Sequence, residues 1–275
     1  MNWTWIYTAF SFSTIVILGT LLSNKSRKWA TFFTFIFPFF ITTPIVLIFD
    51  VFKDLPHPWF AVLKLYTVTF SAICVWFIFK YPNHNLAKIL RTLAFGINIM
   101  EAVVTEALAG YWLNPLAGFL CLLTLPQWNS LHLDSNVNRV KWHSTFLWVL
   151  AYSVWNVCFS LNLYPHLWYL NTFHVVVAHA IVVRDPFWYA EIRAVSLNIN
   201  FCLMIAFWPA MQAIIELDQA AGPFSSVAAH HSFIFWFSVI SLVLCALTIF
   251  EQLYKKEGRV WNLLEKLQGR SGKSS

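Results

Sequence analysis

FGINIMEAVVTEAL, residues 95–108, places two carboxylates, Glu101 and Glu106, inside a run that otherwise reads as hydrocarbon. Whether this run is a soluble core helix or a membrane span decides the fold. Composition answers it: of 275 residues 59% are hydrophobic, 19% aromatic and only 11% charged, against roughly 25% charged in a soluble domain. Too few polar groups exist to cover a globular surface, so the chain reads as an all-α, polytopic transmembrane helix bundle. The two acids then sit at membrane depth, where an ionisable side chain is a functional hypothesis by default.

A bilayer core needs about 20 apolar residues per helix. The stretches that fit are 5–22, 30–49, 59–79, 89–109, 113–126, 144–163, 166–183, 196–217 and 232–253, about nine spans, the fifth being short (seven to nine is the range). Lys and Arg then test the threading. With the N-terminus outside and the C-terminus in the cytoplasm, nine crossings put all of the 18 basic residues except Lys53 and Lys64 on one side. Without a crossing at 113–126 the later basic loops would fall on the wrong side. The first segment has no basic leader and is followed by a basic loop, so it reads as a retained helix rather than a signal peptide. Residues 1–254 form a single transmembrane domain, and 255–275 a basic amphipathic tail on the cytoplasmic headgroups. The membrane is the endoplasmic reticulum in a eukaryote and the inner membrane in a bacterium. The net charge of +6 thus follows the membrane, and no nucleic-acid partner is expected. The five cysteines lie singly in apolar segments, with no CxxC spacing, and behave as small hydrophobes.

At about 100° per residue, Asn98, Glu101 and Thr105 share one helix face, and Glu106 lies well round from Glu101. Ser153, Asn156 and Ser160 share a face of the sixth span, beside Tyr152 and Trp155. Asn171 and His174 lie three apart in the seventh span, with His179 turned away. Lys64 enters the third span two turns from its outer end, from which it can also snorkel. Trp208-Pro209 should kink the eighth, with Gln212 just beyond. Threaded as above, these groups agree in depth, which points to one cavity closed toward the cytoplasm and lined by spans three, four, six, seven and eight.

No HxxxH, HxxE or HExxH occurs, so no metal site is expected. No nucleophile motif, Gly-rich phosphate loop or acidic diphosphate cluster occurs either, and no cofactor is implied. The 15 Trp, 27 Phe and 9 Tyr suit a pocket whose π faces stabilise a cation. A carboxylic acid kept neutral by an apolar setting suits a proton donor. Together they describe a protonation-initiated polyene cyclase taking a lipophilic substrate from the bilayer, with Glu101, Glu106 and His174 as catalytic candidates. Lys64, Asn98, Tyr152, Trp155, Asn156, Asn171 and Trp208 would line the substrate site. An acid, a lysine and a histidine in one cavity are equally the parts of a proton-coupled transporter or a membrane ligand sensor, although no inverted repeat is visible.

NIMEAV (98–103), NPLAGFLCLLT (114–124), AYSVWN (151–156) and IRAVSL (192–197) resemble, in order, an uncharacterised family of polytopic membrane proteins. In size, span count and aromatic richness the chain also resembles the small integral-membrane terpene cyclases of fungal meroterpenoid pathways. That second resemblance implies an isomerase or lyase of terpenoid biosynthesis, with intramembrane acids protonating an olefin or epoxide of a prenylated precursor.

Overall fold

The computed structural model describes residues 4–53, 58–134, 139–165, 168–182, 186–221 and 231–268. Helices dominate: α1 (Thr4–Lys25), α2 (Arg27–Phe49), α3 (Pro58–Lys80), α4 (Asn85–Leu108) and α5 (Leu113–Leu123) precede a short hairpin of β1 (His132–Asp134) and β2 (Arg139–Lys141). Then follow α6 (Phe146–Leu163), α7 (Trp168–Val182), α8 (Tyr189–Ala206), α9 (Trp208–Ala221), α10 (His231–Lys255) and α11 (Gly258–Leu267).

Among the described residues, four helices are long and apolar enough to cross a membrane: α2, α3, α6 and, over Ser232–Lys255, α10. The count of nine goes further than helix length does. α5 has 11 residues, about 16 Å at 1.5 Å per residue, roughly half of a hydrocarbon core. α4 is 24 residues long but carries Lys88, Arg91, Glu101 and Glu106 along its length. The segment 196–217, expected to kink at Trp208-Pro209, is divided at Phe207, two residues before Pro209. Proline clashes with the preceding turn and offers no N–H, so the break falls where the sequence places it.

α2 accommodates Pro38 differently. From Phe32 to Thr42 its turns widen to π-helical geometry, in which each carbonyl is met five residues on. The hydroxyls of Thr42 and Thr43 donate to the carbonyls of Phe37 and Pro38 at 3.1 and 2.9 Å, again five residues back. α4 ends on Gly110, at φ +90°. Tyr111 N–H reaches Glu106 O at 3.1 Å and Gly110 N–H reaches Ala107 O at 3.1 Å, the paired closure a glycine past a helix end permits. This closure fixes Glu106 in the last turn.

Two apolar cores meet along α8, which buries 15 of its 18 residues, the polar Glu191, Arg193, Ser196, Asn198 and Asn200 among them. One core joins α3, α4, α5, α6, the start of α8 and α10 around Phe95, Trp142, Tyr152 and Trp155. The other joins α1, α2, the start of α3, α7, the end of α8 and α9 around Phe37, Phe52, Leu203 and Trp208. The antiparallel β1–β2 pair, a departure from the all-α expectation, docks on this assembly against α3 and α8. Val140 N–H donates to Glu191 Oε2 at 2.5 Å, and Trp142 N–H to Phe187 O at 2.9 Å.

Candidate functional site

Lys64 does not snorkel; it is 8% exposed. Its Nζ donates to the Asn98 carbonyl at 2.9 Å, lies 3.6 Å from Glu101 Oε2 and sits 5.4 Å from the centroid of Phe60. Thr67, one turn on, donates its hydroxyl to the same Glu101 oxygen at 2.9 Å. Lys64 and Thr67 thus face α4 together, and the Asn98–Glu101 spacing read from the sequence answers them. The other carboxylate oxygen, Glu101 Oε1, has no hydrogen-bond partner, nor has Asn98 Nδ2, and both are buried.

His174, on α7, is 1% exposed and neither ring nitrogen is bonded. Lys64 and Arg193 both lie within electrostatic range of it. Arg193 is the residue the sequence reading missed. Charge counting assigns it to a basic connection before a span starting at 196, but α8 begins seven residues earlier and carries Arg193 into the interior, 1% exposed. Its Nε and Nη1 are without hydrogen-bond partners, and its guanidinium faces the Tyr152 ring at 5.7 Å. Five buried polar groups from four helices thus gather here, and four of them (Asn98, Glu101, His174 and Arg193) keep unused donors or acceptors. Native interiors leave few such atoms.

The aromatics are organised as a column. Trp148, Tyr152, Trp155 and Phe159 lie on one face of α6, with successive centroids 5.4, 5.6 and 6.3 Å apart. Phe60 extends the column at 5.8 Å from Phe159. Their spacing of four, three and four residues was visible in the sequence as one helical stripe. Three aromatic faces are occupied by the protein's own buried cations: Phe60 by Lys64, Tyr152 by Arg193 and, at 4.9 Å, Phe95 by Arg91. Arg91 is fully committed as well, donating Nη1 to Ser71 Oγ at 3.0 Å and Nη2 to Ala190 O at 2.6 Å.

Other expected site residues fall elsewhere. Glu106 belongs to a separate network, in which its own oxygens are bonded while Asn162 Oδ1 is left without a partner. Asn114 Nδ2 donates to both Glu106 oxygens at 2.9 Å and Asn162 Nδ2 to Oε1 at 2.7 Å, while Ser241 donates to Asn114 Oδ1 at 2.9 Å. Trp155 serves the same network, its Nε1 donating to Asn114 O at 3.1 Å. Its indole fills the space over Gly118, where an added Cβ would stand 2.6 Å from Nε1. Asn156 is buried one residue beyond Trp155. Trp208 packs against Phe52 at 6.3 Å in the second apolar core, and Gln212 is exposed. The side chain of Asn171 lies outside the described residues. His179, turned away from His174 as expected, meets Ser153 Oγ at 2.6 Å, and Ser153 meets Tyr189 OH at 2.8 Å. A cavity of about 460 Å³ opens among Gln127, His143, Thr145, Glu251, Lys255 and Asn262. Neither Lys64, Glu101, His174 nor Arg193 lines it.

No group of three or more His, Cys, Asp or Glu residues suited to a metal ion occurs among the described residues. No family model, no curated protein and no solved structure matches the chain.

Proposed function

We propose that the chain is a polytopic membrane protein that binds a small organic anion with a lipophilic body, as a proton-coupled transporter or a membrane ligand sensor. The buried guanidinium of Arg193, with Nε and Nη1 unbonded beside the unbonded ring of His174, carries this reading. Orphaned buried donors cost about 1–3 kcal/mol each, more when charged. A carboxylate, sulfonate or phosphate accepting from Arg193 and His174 relieves that cost, and bidentate anion recognition is what a guanidinium does best. Lys64 and Glu101 then form the movable ion pair next to the ligand, the kind of partnership by which a proton or ligand charge is coupled to a helix rearrangement. Tyr152, whose ring faces Arg193, supplies the wall of the site on α6.

The test uses naphthalene-2-sulfonate, permanently charged and fluorescent, with the neutral naphthalene-2-sulfonamide as control. The detergent-purified full chain should be stabilised thermally by the sulfonate and not by the sulfonamide. Arg193→Gln should weaken the response at least about tenfold, the loss of one charged hydrogen bond. Equal responses to both compounds would overturn the anion reading. Uptake of the sulfonate into proteoliposomes then separates transporter from sensor.

A second reading, protonation-initiated cyclisation of a prenylated lipophilic substrate, is favoured by the aromatic column on α6 and by the fungal cyclase resemblance. Against it, a carbocation near this column meets Lys64, Arg91 and Arg193 already seated on the aromatic faces. Membranes carrying the protein, given a farnesylated phenol and its epoxide, should yield cyclised product under this reading. Glu101→Gln should then lower the yield by about two orders of magnitude, the contribution of a general acid.

A further inference from the structure

A further cavity lies apart from the Arg193 cluster, with none of Lys64, Glu101, His174 or Arg193 in its wall. This cavity, of about 300 Å³, opens between α1, α2, α3 and α8. Its rim carries Lys25, Arg27 and Lys80, and its floor is apolar, formed by Ala72, Val75 and Phe79. Trp76 borders the floor, with Nε1 donating to Thr31 Oγ1 at 3.2 Å and Lys80 Nζ over its ring at 5.3 Å.

Three further observations give the rim its chemistry. α2 starts within this cavity at Arg27, and its N-cap, Ser26, makes no side-chain capping bond. A helix start carries unsatisfied N–H groups and a positive dipole end, which together favour an anion. Ser23 Oγ, also in the wall, is buried and has no hydrogen-bond partner. The carboxylate in the wall, Glu191, is engaged with the Val140 amide at 2.5 Å.

We infer that this cavity is a site for an anionic phospholipid, with the phosphate held by Lys25, Arg27, Lys80 and the start of α2. One acyl chain follows the apolar face of α3 past Trp76 and Phe79. A soluble phosphate ester would have no use for that apolar floor, whereas a lipid needs both halves, and basic pockets between helices at a membrane surface recognise such headgroups. The site stands independently of what the Arg193 cluster binds.

Native mass spectrometry of the full chain tests it, with phosphatidylglycerol and phosphatidylcholine of the same acyl chains as probes. The unmutated protein should retain phosphatidylglycerol in preference. The triple variant Lys25→Gln, Arg27→Gln, Lys80→Gln should bind it roughly a hundredfold more weakly, at about 1 kcal/mol per cation. Lys28→Gln with Lys88→Gln, which removes two nearby cations outside the cavity wall, should change it less than about twofold. Equal binding of the two lipids overturns the proposal, as does retention by the triple variant or an equal loss in the control. Displacement by millimolar inorganic phosphate would assign the site to a free anion instead.

Discussion

Lys64 and Glu101 meet 3.6 Å apart across the α3–α4 interface, their side chains 9% and 6% exposed. Breaking a buried pair by removing one partner leaves an uncompensated charge and costs about 3–5 kcal/mol. Lys64→Met and Glu101→Gln should each lower the thermal unfolding temperature markedly. The double variant should unfold at a higher temperature than either single one. Additive losses in this cycle would show that the two groups are not coupled.

Glu106 is expected to matter to folding rather than to ligand handling. Asn114 and Asn162 both point amide donors at it, so Glu106→Gln turns one acceptor into a donor facing donors. The expected loss is about 1–3 kcal/mol of stability, with ligand response per folded molecule unchanged. Sulfonate binding that vanishes in folded Glu106→Gln protein would move the site to this network.

Gly118 sets how closely α5 approaches α6. An added methyl group would lie 2.5 Å from Val103 Cγ2 and 2.6 Å from Trp155 Nε1, so Gly118→Ala should cost about 1–3 kcal/mol by overpacking. Trp155→Phe, which removes the colliding nitrogen, should recover part of that loss in the double variant. Melting curves of the four proteins measure the coupling.

Ser153 and His179, 2.6 Å apart, have the outline of a nucleophile and base. Ser153 also donates to Val149 O at 2.7 Å, four residues back on its own helix, a common way for a membrane helix to satisfy a hydroxyl. A fluorophosphonate probe is therefore expected to leave the protein unlabelled. Labelling that disappears in Ser153→Ala would establish a hydrolase.

All five cysteines are buried, so single introduced thiols can be read against little background. Under the proposed threading, Asn129→Cys reacts with a membrane-impermeant maleimide only from the cytoplasmic side and Lys53→Cys only from outside. Labelling of both from one side would remove the odd number of crossings between them.

Much of the architecture was legible because hydrocarbon length is a strong signal. α2, α3, α6 and α10 fall where long apolar runs predict them, and the break before Pro209 follows from proline chemistry. The grouping of Asn98 with Glu101 was legible too, since helical spacing fixes which residues share a face. What failed to show was which charge belongs to which environment. Arg193 and Arg91 stand near ends of apolar runs, where a cation counts toward topology, and only tertiary packing distinguishes a headgroup contact from a buried guanidinium. Asn114 and Asn162 were likewise opaque, because their common partner Glu106 comes from a third helix. The single-cavity expectation assumed that equal depth means adjacency. Trp208 and Tyr152 instead lie in different cores.

The ion pair between α3 and α4 also bears on how the chain enters a membrane. A lone charge at the centre of a nascent helix costs about 2.5–3.5 kcal/mol to insert. Lys64 and Glu101 sit on consecutive helices joined by the short turn at residues 81–84, so the two can enter as a hairpin that neutralises itself while the rest is still being made. Among the described residues Arg193 has no such neighbour on α7 or α9, and its seat against Tyr152 requires α6 to be in place. Under the proposed threading, insertion is expected to follow an order: the Lys64–Glu101 pair is self-sufficient, and Arg193 depends on helices inserted before it.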